Sequence, residues 1–173
     1  GSPYTYTGGE LKPGFTVMIS GRSLAAANYD VAYSNNVNVG TATITVTGKG
    51  NYKGTITEKF TIQAKPLKDV SVTYVNLMSY TGKQVCPEVK VMDGAVELKQ
   101  NVDYDVSYQN NTEVTTSARI KITGKGNYTG TIDRYFSIQK QEINLKDAEI
   151  TADNQTYNGR EQKPAVTVKV SGR

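Results

Sequence analysis

Two glycine-rich blocks have a spacing that could serve chemistry, because glycine-rich loops can cradle phosphate groups. The block Gly-Lys-Gly-Asn-Tyr occurs at residues 48–52 and again at residues 124–128. A dinucleotide-binding fingerprint would need a further glycine where Lys53 and Thr129 stand, and a helix after it. Both glycines are missing and a strand pattern follows each block, so we predict that the two blocks are hairpin loops.

Arrangements that rely on histidine are excluded, since the chain contains none. We expect no enzymatic activity and no cofactor, and we assign no catalytic, cofactor-binding or metal-binding residues, while ligand-binding residues are left open. Asp103 and Asp105 could bind calcium at a junction, because calcium takes clustered carboxylate oxygens. A solvated loop is the simpler interpretation, since Asn28 and Asp30 occupy the matching positions near the first block.

Two further side chains could react. Lys121 lies within a predicted strand and could form an isopeptide bond with an asparagine. The alternation of inner and outer residues along this strand places Lys121 on the outer face, where lysines are common. Cys86 is the only cysteine and cannot form an internal disulfide. We interpret it as a small, half-buried residue rather than a reactive thiol.

These residues belong to an internal repeat that organises the chain. Residues 29–63 recur as residues 104–139 with a one-residue insertion and 21 of 35 positions identical. A period of about 75 residues predicts small modules in tandem. We predict a first module at 1–63 that lacks its first strand, a complete second module at 67–139, and the N-terminal strands of a third at 143–173.

Alternation of apolar and polar residues predicts strands with one buried face. The outer set changes between the two copies while the inner set stays apolar, as expected when only one face covers a core. We find no helical pattern of useful length, so we predict an all-β fold of small sandwich modules. The predicted inner residues are Ala42, Ile44 and Val46 in the first copy and Ala118, Ile120 and Ile122 in the second.

The linkers at 64–66 and 140–142 are short, which favours a rod over a flexible string. The first module lacks a strand and the third segment carries an extra one. We therefore predict that residues from about Lys146 to Val170 pair with an exposed sheet edge. That edge can belong to another chain, which would amount to strand exchange.

Charge and tyrosine content limit the possible partners. The net charge of +4 is dispersed, which argues against nucleic-acid binding, and no stretch predicts membrane insertion. Tyrosines could stack on sugar rings, but most follow the inner parity. We predict core or corner positions for Tyr29, Tyr33, Tyr52 and their counterparts. The predicted exposed tyrosines are Tyr4, Tyr135 and Tyr74.

The motif Tyr-Asp-Val-x-Tyr-x-Asn-Asn at 29–36 and 104–111 precedes Thr-Gly-Lys-Gly-Asn-Tyr-x-Gly-Thr-Ile at 47–56 and 123–132. Together they resemble a tandem Ig-like repeat of secreted and surface proteins of Gram-positive, often gut-dwelling, bacteria. The resemblance covers nearly the whole chain. It implies Ig-like β-sandwich modules of about 75 residues, without catalytic residues.

The resemblance also implies an extracellular location, either at the bacterial cell surface or secreted. We therefore expect a structural spacer or stalk that presents other domains away from the cell wall. Its partners would be neighbouring modules of the same array. The alternative is an adhesin module that recognises a host glycan or protein. These are expectations from the resemblance, since a fold by itself does not define a function.

Overall fold

The regular structure consists of β-strands and short 3-10 turns. A computed structural model describes residues 2–140, 146 and 148–169. Across these ranges the chain is all-β, and no α-helix is present. The predicted all-β class is therefore confirmed, while the Ig-like sandwich modules stay a prediction. The division into modules stays a prediction, so residues 2–63, 67–139 and 148–169 are called here the first, second and third segments.

The first segment forms one sheet and a small hairpin. The sheet has the order β1-β6-β5-β4; β4, β5 and β6 are antiparallel neighbours, whereas β1 runs parallel to β6. A 3-10 turn at Ala26–Asn28 leads into β4, and β2 and β3 form the hairpin. The strands are β1 (Tyr4–Thr5), β2 (Met18–Ile19), β3 (Arg22–Ser23), β4 (Tyr29–Ser34), β5 (Gly40–Gly48) and β6 (Thr55–Gln63).

The second segment places a core between two sheets. One has the order β12-β13-β15-β9 and the other β11-β10-β8, and both contribute residues to a single buried cluster. The linker strand β7 (Lys65–Pro66) precedes a 3-10 turn at Leu67–Asp69 and pairs in parallel with β14. The strands are β8 (Ser71–Tyr74), β9 (Leu77–Ser79), β10 (Val89–Asp93), β11 (Val96–Glu97), β12 (Tyr104–Gln109), β13 (Thr115–Gly124), β14 (Tyr128–Thr129) and β15 (Thr131–Gln139).

The third segment contributes one antiparallel pair, β16 (Glu149–Ala152) with β17 (Val166–Lys169). Every residue of the two strands is exposed. Within this chain the strands pair with each other, so pairing with another molecule stays a prediction. Most of the predicted second linker, and the end of the predicted pairing region at Val170, lie outside the described residues.

The predicted inner faces are confirmed. Ala118, Ile120 and Ile122 are fully buried, and their counterparts in the first copy are buried as well. A register shift in β13 between Thr115 and Ala118 absorbs the one-residue insertion of the second copy. A one-residue slip of register would turn the inner side chains outward. Because the shift compensates for the insertion, the matching side chains face the core in both copies.

The Asn-Asn pairs build the same corner in both copies. Asn35 and Asn110 have positive φ angles of 55° and 53°, a left-handed conformation that asparagine tolerates. The next asparagine is buried, and its side chain donates a hydrogen bond to a backbone carbonyl, from Asn111 to Val85 (3.0 Å) and in the same way from Asn36. Burial of this side-chain amide is tolerated because its N–H donor makes a hydrogen bond.

Candidate functional site: the junction between the first and second segments

The linker strand is fixed to the second glycine block. The backbone N–H of Lys65 donates to the carbonyl of Asn127 (2.9 Å), and Lys65 and Pro66 pair with Tyr128 and Thr129. This pairing satisfies backbone groups that a free linker would expose to water. The chain between the two segments is therefore held as part of a sheet.

A partly buried ion pair secures the same linker residue. The Lys65 ammonium lies 2.7 and 2.8 Å from the two carboxylate oxygens of Asp93, and the Tyr128 hydroxyl donates to Oδ2 at 3.0 Å. The two charged side chains are only 27% and 17% exposed. Charge-assisted hydrogen bonds that are shielded from water are stronger than those of an exposed pair.

Asn127 connects the two segments with its side chain. Its amide nitrogen donates to the side-chain oxygen of Asn38 (3.0 Å), and its own side-chain oxygen accepts the backbone N–H of Val39 (2.9 Å). Both polar ends of one amide are thus used on one loop of the first segment. This loop and the linker are two separate attachments to the same glycine block.

An aromatic contact completes the junction. The ring of Tyr6 packs edge-to-face on that of Tyr128, with centroids 5.6 Å apart and an angle of 78°. Tyr6 belongs to the first segment but lies against the core of the second. Burial, followed by the hydrogen bond to Asp93, raises the pKa of Tyr128 well above its usual value. This phenol therefore keeps its proton to a higher pH than an ordinary tyrosine does.

The glycine blocks are hairpin loops, as predicted, and they need glycine for a steric reason. A Cβ on Gly124 would lie 2.7 Å from the nitrogen of Thr129, and one on Gly48 would lie 2.8 Å from the carbonyl carbon of Tyr52. The strands on either side of each loop pair antiparallel. The loops therefore turn a sheet, and no helix follows them that could favour a phosphate.

The lysine of each block pairs with an aspartate on the neighbouring strand. Lys49 lies 2.9 Å from Asp30, and Lys125 lies 3.3 Å from Asp105. Asp103 instead accepts a hydrogen bond from the backbone of Lys99 (2.9 Å). In the described ranges no group of three or more His, Cys, Asp or Glu side chains could hold a metal ion. The geometry does not support the calcium interpretation of Asp103 and Asp105.

The two side chains considered reactive lie apart from the junction. Lys121 is half-buried and stands opposite Ser107 and Asp133 on the two adjacent strands, so neither cross-strand partner is the asparagine that an isopeptide bond requires. Cys86 is exposed, so the predicted half-buried position is wrong. The difference arises because inner residues alternate there, with Val85 and Pro87 buried and Cys86 turned outward.

The tyrosine predictions are confirmed in part. Tyr4 and Tyr135 are exposed, whereas Tyr74 is half-buried and its hydroxyl donates to the carbonyl of Tyr135 (3.1 Å). Tyr52, for which we predict a core or corner position, is 38% exposed, although its counterpart Tyr128 is only 6% exposed. Tyr128 is covered by the linker and by Tyr6, and the first segment has no such cover among its described residues. The strong exposure of Tyr157 was not anticipated.

Sequence reasoning missed the junction as a site. Asp93 gave no signal because the matching position of the first copy holds Ile19, which bears no charge. Asn127 was counted only as a loop residue. A signal was available in the linker, where Lys65 is the only lysine of residues 64–66, but its partner lies 28 residues away along the chain.

No protein family, no curated protein and no solved structure matches this chain. What the fold defines is the class, an all-β protein with a two-sheet core in its second segment. A search of the described residues for a helix long and apolar enough to cross a membrane found none.

Proposed function

We propose that this chain is a non-catalytic structural spacer, built from Ig-like modules, of a bacterial surface or secreted protein. Its role is to hold other domains at a distance from the cell wall. The observation that carries the proposal is the junction, where Asn127 and the Lys65–Asp93 pair attach the first segment to the second through two separate stretches of chain.

A spacer must resist bending between its units, and the junction supplies contacts suited to that task. The linker is part of a sheet, its lysine is paired, and one aromatic ring of the first segment packs on the second. Interfaces between domains of one chain usually permit relative motion unless their contacts are extensive. Fixing a short linker on both sides limits that motion.

The rigidity of the junction is testable by the distance between two spin labels. Cys86 is the only cysteine and is exposed, so it accepts one label. Thr57→Cys, at an exposed position of β6, accepts the other. Double electron–electron resonance, with an excess of unlabelled chain to suppress distances between molecules, is expected to give one narrow distribution. A broad distribution in the otherwise unaltered chain would refute the rigid spacer.

A matched pair of variants connects the distribution to the junction. Asn127→Ala removes the bridge to Asn38 and Val39, so the distribution is expected to widen. Asn51→Ala changes the same residue of the first glycine block, which is exposed and makes no such bridge, so its distribution is expected to stay narrow. Equal widths for the two variants would show that the rigidity does not depend on the contacts of Asn127.

The alternative function is adhesion to a host glycan or protein. One observation favours it: Tyr135 on β15 is 56% exposed, and the half-buried Tyr74 donates a hydrogen bond to its backbone carbonyl. An exposed tyrosine can stack on a sugar ring. A glycan and matrix-protein array would show saturable binding that is lost in Tyr135→Ala. Silence of the array would leave the spacer as the sole proposal.

A further inference from the structure

An apolar groove of about 290 Å³ lies open on the first segment. It is lined by Val17, Met18, Tyr29, Val46 and Ile56, and a neighbouring cavity extends it towards Phe15. Ile56 and Met18 are 62% and 60% exposed, although each lies on a strand of this segment. Exposed apolar residues that share one concave surface indicate a binding site.

The second segment shows what fills the equivalent groove. Its strand β8 pairs with β10, so that Val72 stands opposite Val91 and Tyr74 opposite Val89. Val91 is fully buried, and Ile132, the counterpart of Ile56, is only 9% exposed. In the first segment, residues 15–18 match this part of β10. The described residues of that segment contain no strand in the place of β8.

The third segment carries a second copy of the strand that fills the groove. Strand β16 pairs with β17 in the register that β8 uses with β10, with Ile150 opposite Val168 and Ala152 opposite Val166. These inner positions are not covered, since Ile150 is 68% exposed and Val168 is 53% exposed. A two-stranded ribbon without a core is only marginally stable, so β16 is available for exchange.

We propose that β16 of one chain inserts into the groove of the first segment of a second copy of the chain. In the register of the second segment, Ala152 stands opposite Phe15, Thr151 opposite Thr16, and Ile150 opposite Val17. Strand β17 then leaves β16, because residues 15–18 take the same edge. The ligand of this site is a β-strand added to a sheet edge.

The sizes of the paired side chains favour this exchange. In the second segment the large Tyr74 faces the small Val89. In the proposed complex the small Ala152 faces the large Phe15, so the combined volume at this pair is similar. Volume-conserving changes of this kind are the ones that cores tolerate best. The apolar Ile150 meanwhile leaves water and lies against Val17 and Ile56 in the groove.

The exchange is directional, since the donor and acceptor surfaces lie in different segments. A contact of this kind is heterologous, so it produces rings or open chains of copies rather than a self-complementary pair. The association is therefore expected to depend on protein concentration. The exchange involves none of the residues of the junction. Association between chains can therefore fail while the junction stays rigid, and the junction can be flexible while the chains associate.

The test is sedimentation velocity of the full chain over a concentration series, with two matched variants of β16. The wild type is expected to associate. Ile150→Lys places a charge against the groove and is expected to stay monomeric. Thr151→Lys changes the outward neighbour on the same strand and is expected to associate like the wild type. Both positions are exposed in the single chain, so neither variant should prevent folding.

A second pair of variants tests the register. Ala152→Tyr should weaken association about tenfold, because two large rings then compete for one space. Adding Phe15→Val to that chain recreates the Tyr74–Val89 pair and should restore association. A wild type that stays monomeric at the highest concentration would overturn the proposal. So would equal association of wild type and Ile150→Lys, or a failure of Phe15→Val to rescue.

Discussion

The first and second segments have almost the same central sheet but very different cores. Strands β4, β5 and β6 pair in the register of β12, β13 and β15. Ile56 is nevertheless 62% exposed while Ile132 is 9% exposed. The second segment has β8 and a closed core, and the first has no strand in that place among its described residues. The comparison indicates that the repeat specifies the sheet, while one further strand decides whether the core closes.

The two glycine blocks give the same lesson at the junction. Tyr52 and Tyr128 occupy matching positions, but only Tyr128 is buried. The difference comes from Lys65, Pro66 and Tyr6, which the first segment and the linker place over the second block. Burial of a repeated residue therefore depends on which other elements of the chain contact it.

Truncation of the matched isoleucines should separate the two cores most strongly. Ile132→Ala leaves a cavity in a closed core and is expected to cost about 2–5 kcal/mol in the free energy of unfolding. Ile56→Ala changes an exposed side chain and is expected to stay within about 0.5 kcal/mol. Urea unfolding of dilute protein measures both. Equal losses would mean that the first core is closed in solution.

Substitution of the first glycine in each block should affect the two segments alike. Gly124→Ala and Gly48→Ala each push a Cβ into backbone atoms less than 3 Å away, so each is expected to cost about 1–3 kcal/mol. Gly14→Ala, with nothing within 4 Å of the added atom, is the control and should be neutral. A neutral Gly48→Ala would show that the loop of the first segment is not held as described.

Removal of the junction charge should have an intermediate effect. Asp93→Asn leaves the Lys65 ammonium partly buried without its partner and is expected to cost about 1–2 kcal/mol, between exposed and buried ion pairs. Asp30→Asn removes an ion pair whose side chains are 69% and 51% exposed and should cost about 0.5 kcal/mol or less. Thermal unfolding of the two variants makes the comparison, and a larger effect at Asp30 would count against the junction.

Alkaline pH should weaken the second segment through Tyr128. The folded protein raises the pKa of this phenol, chiefly by burial, whereas an unfolded tyrosine titrates near pH 10. Below about pH 10 both states keep the proton, and above it only the unfolded chain loses it, so stability falls as the pH rises. Burial also raises the pKa of Tyr104 and Tyr108. Tyr128→Phe should therefore reduce the alkaline loss without abolishing it.

The urea midpoint measured from about pH 8 to pH 11 tests this expectation, since the pKa of an ordinary tyrosine lies within that range. Tyr52→Phe is the control, because it removes the matching hydroxyl at an exposed position, and this variant should keep the alkaline loss of the wild type. If Tyr128→Phe leaves the slope of stability against pH unaltered, the alkaline loss of stability does not come from Tyr128.

Much of the sheet could be predicted from the sequence because it depends on local alternation. The inner residues of β5 and β13 follow period two, and all six are buried. The left-handed conformation of Asn35 and Asn110 is one that asparagine tolerates. Those signals lie within a few residues of the structure that they specify.

The junction could not be predicted because its contacts join residues far apart in the sequence. Asn127 contacts Asn38 across 89 positions, and Asp93 has no charged counterpart in the first copy. The alternation along the strand also did not anticipate the exposure of Tyr52. Alternation indicates on which face of a sheet a side chain lies, but not whether another element covers that face. Contacts of this kind depend on which segments are neighbours in space.

Hydrogen–deuterium exchange tests most directly whether β8 is the strand that closes a core. The experiment compares the amides of β6 and β15 in dilute Ile150→Lys protein, in which exchange of β16 between chains is blocked. We expect slow exchange in β15, which belongs to the closed two-sheet core, and much faster exchange in β6. Equal protection of the two strands would contradict the account, because it would mean that the first segment closes its core without a counterpart of β8.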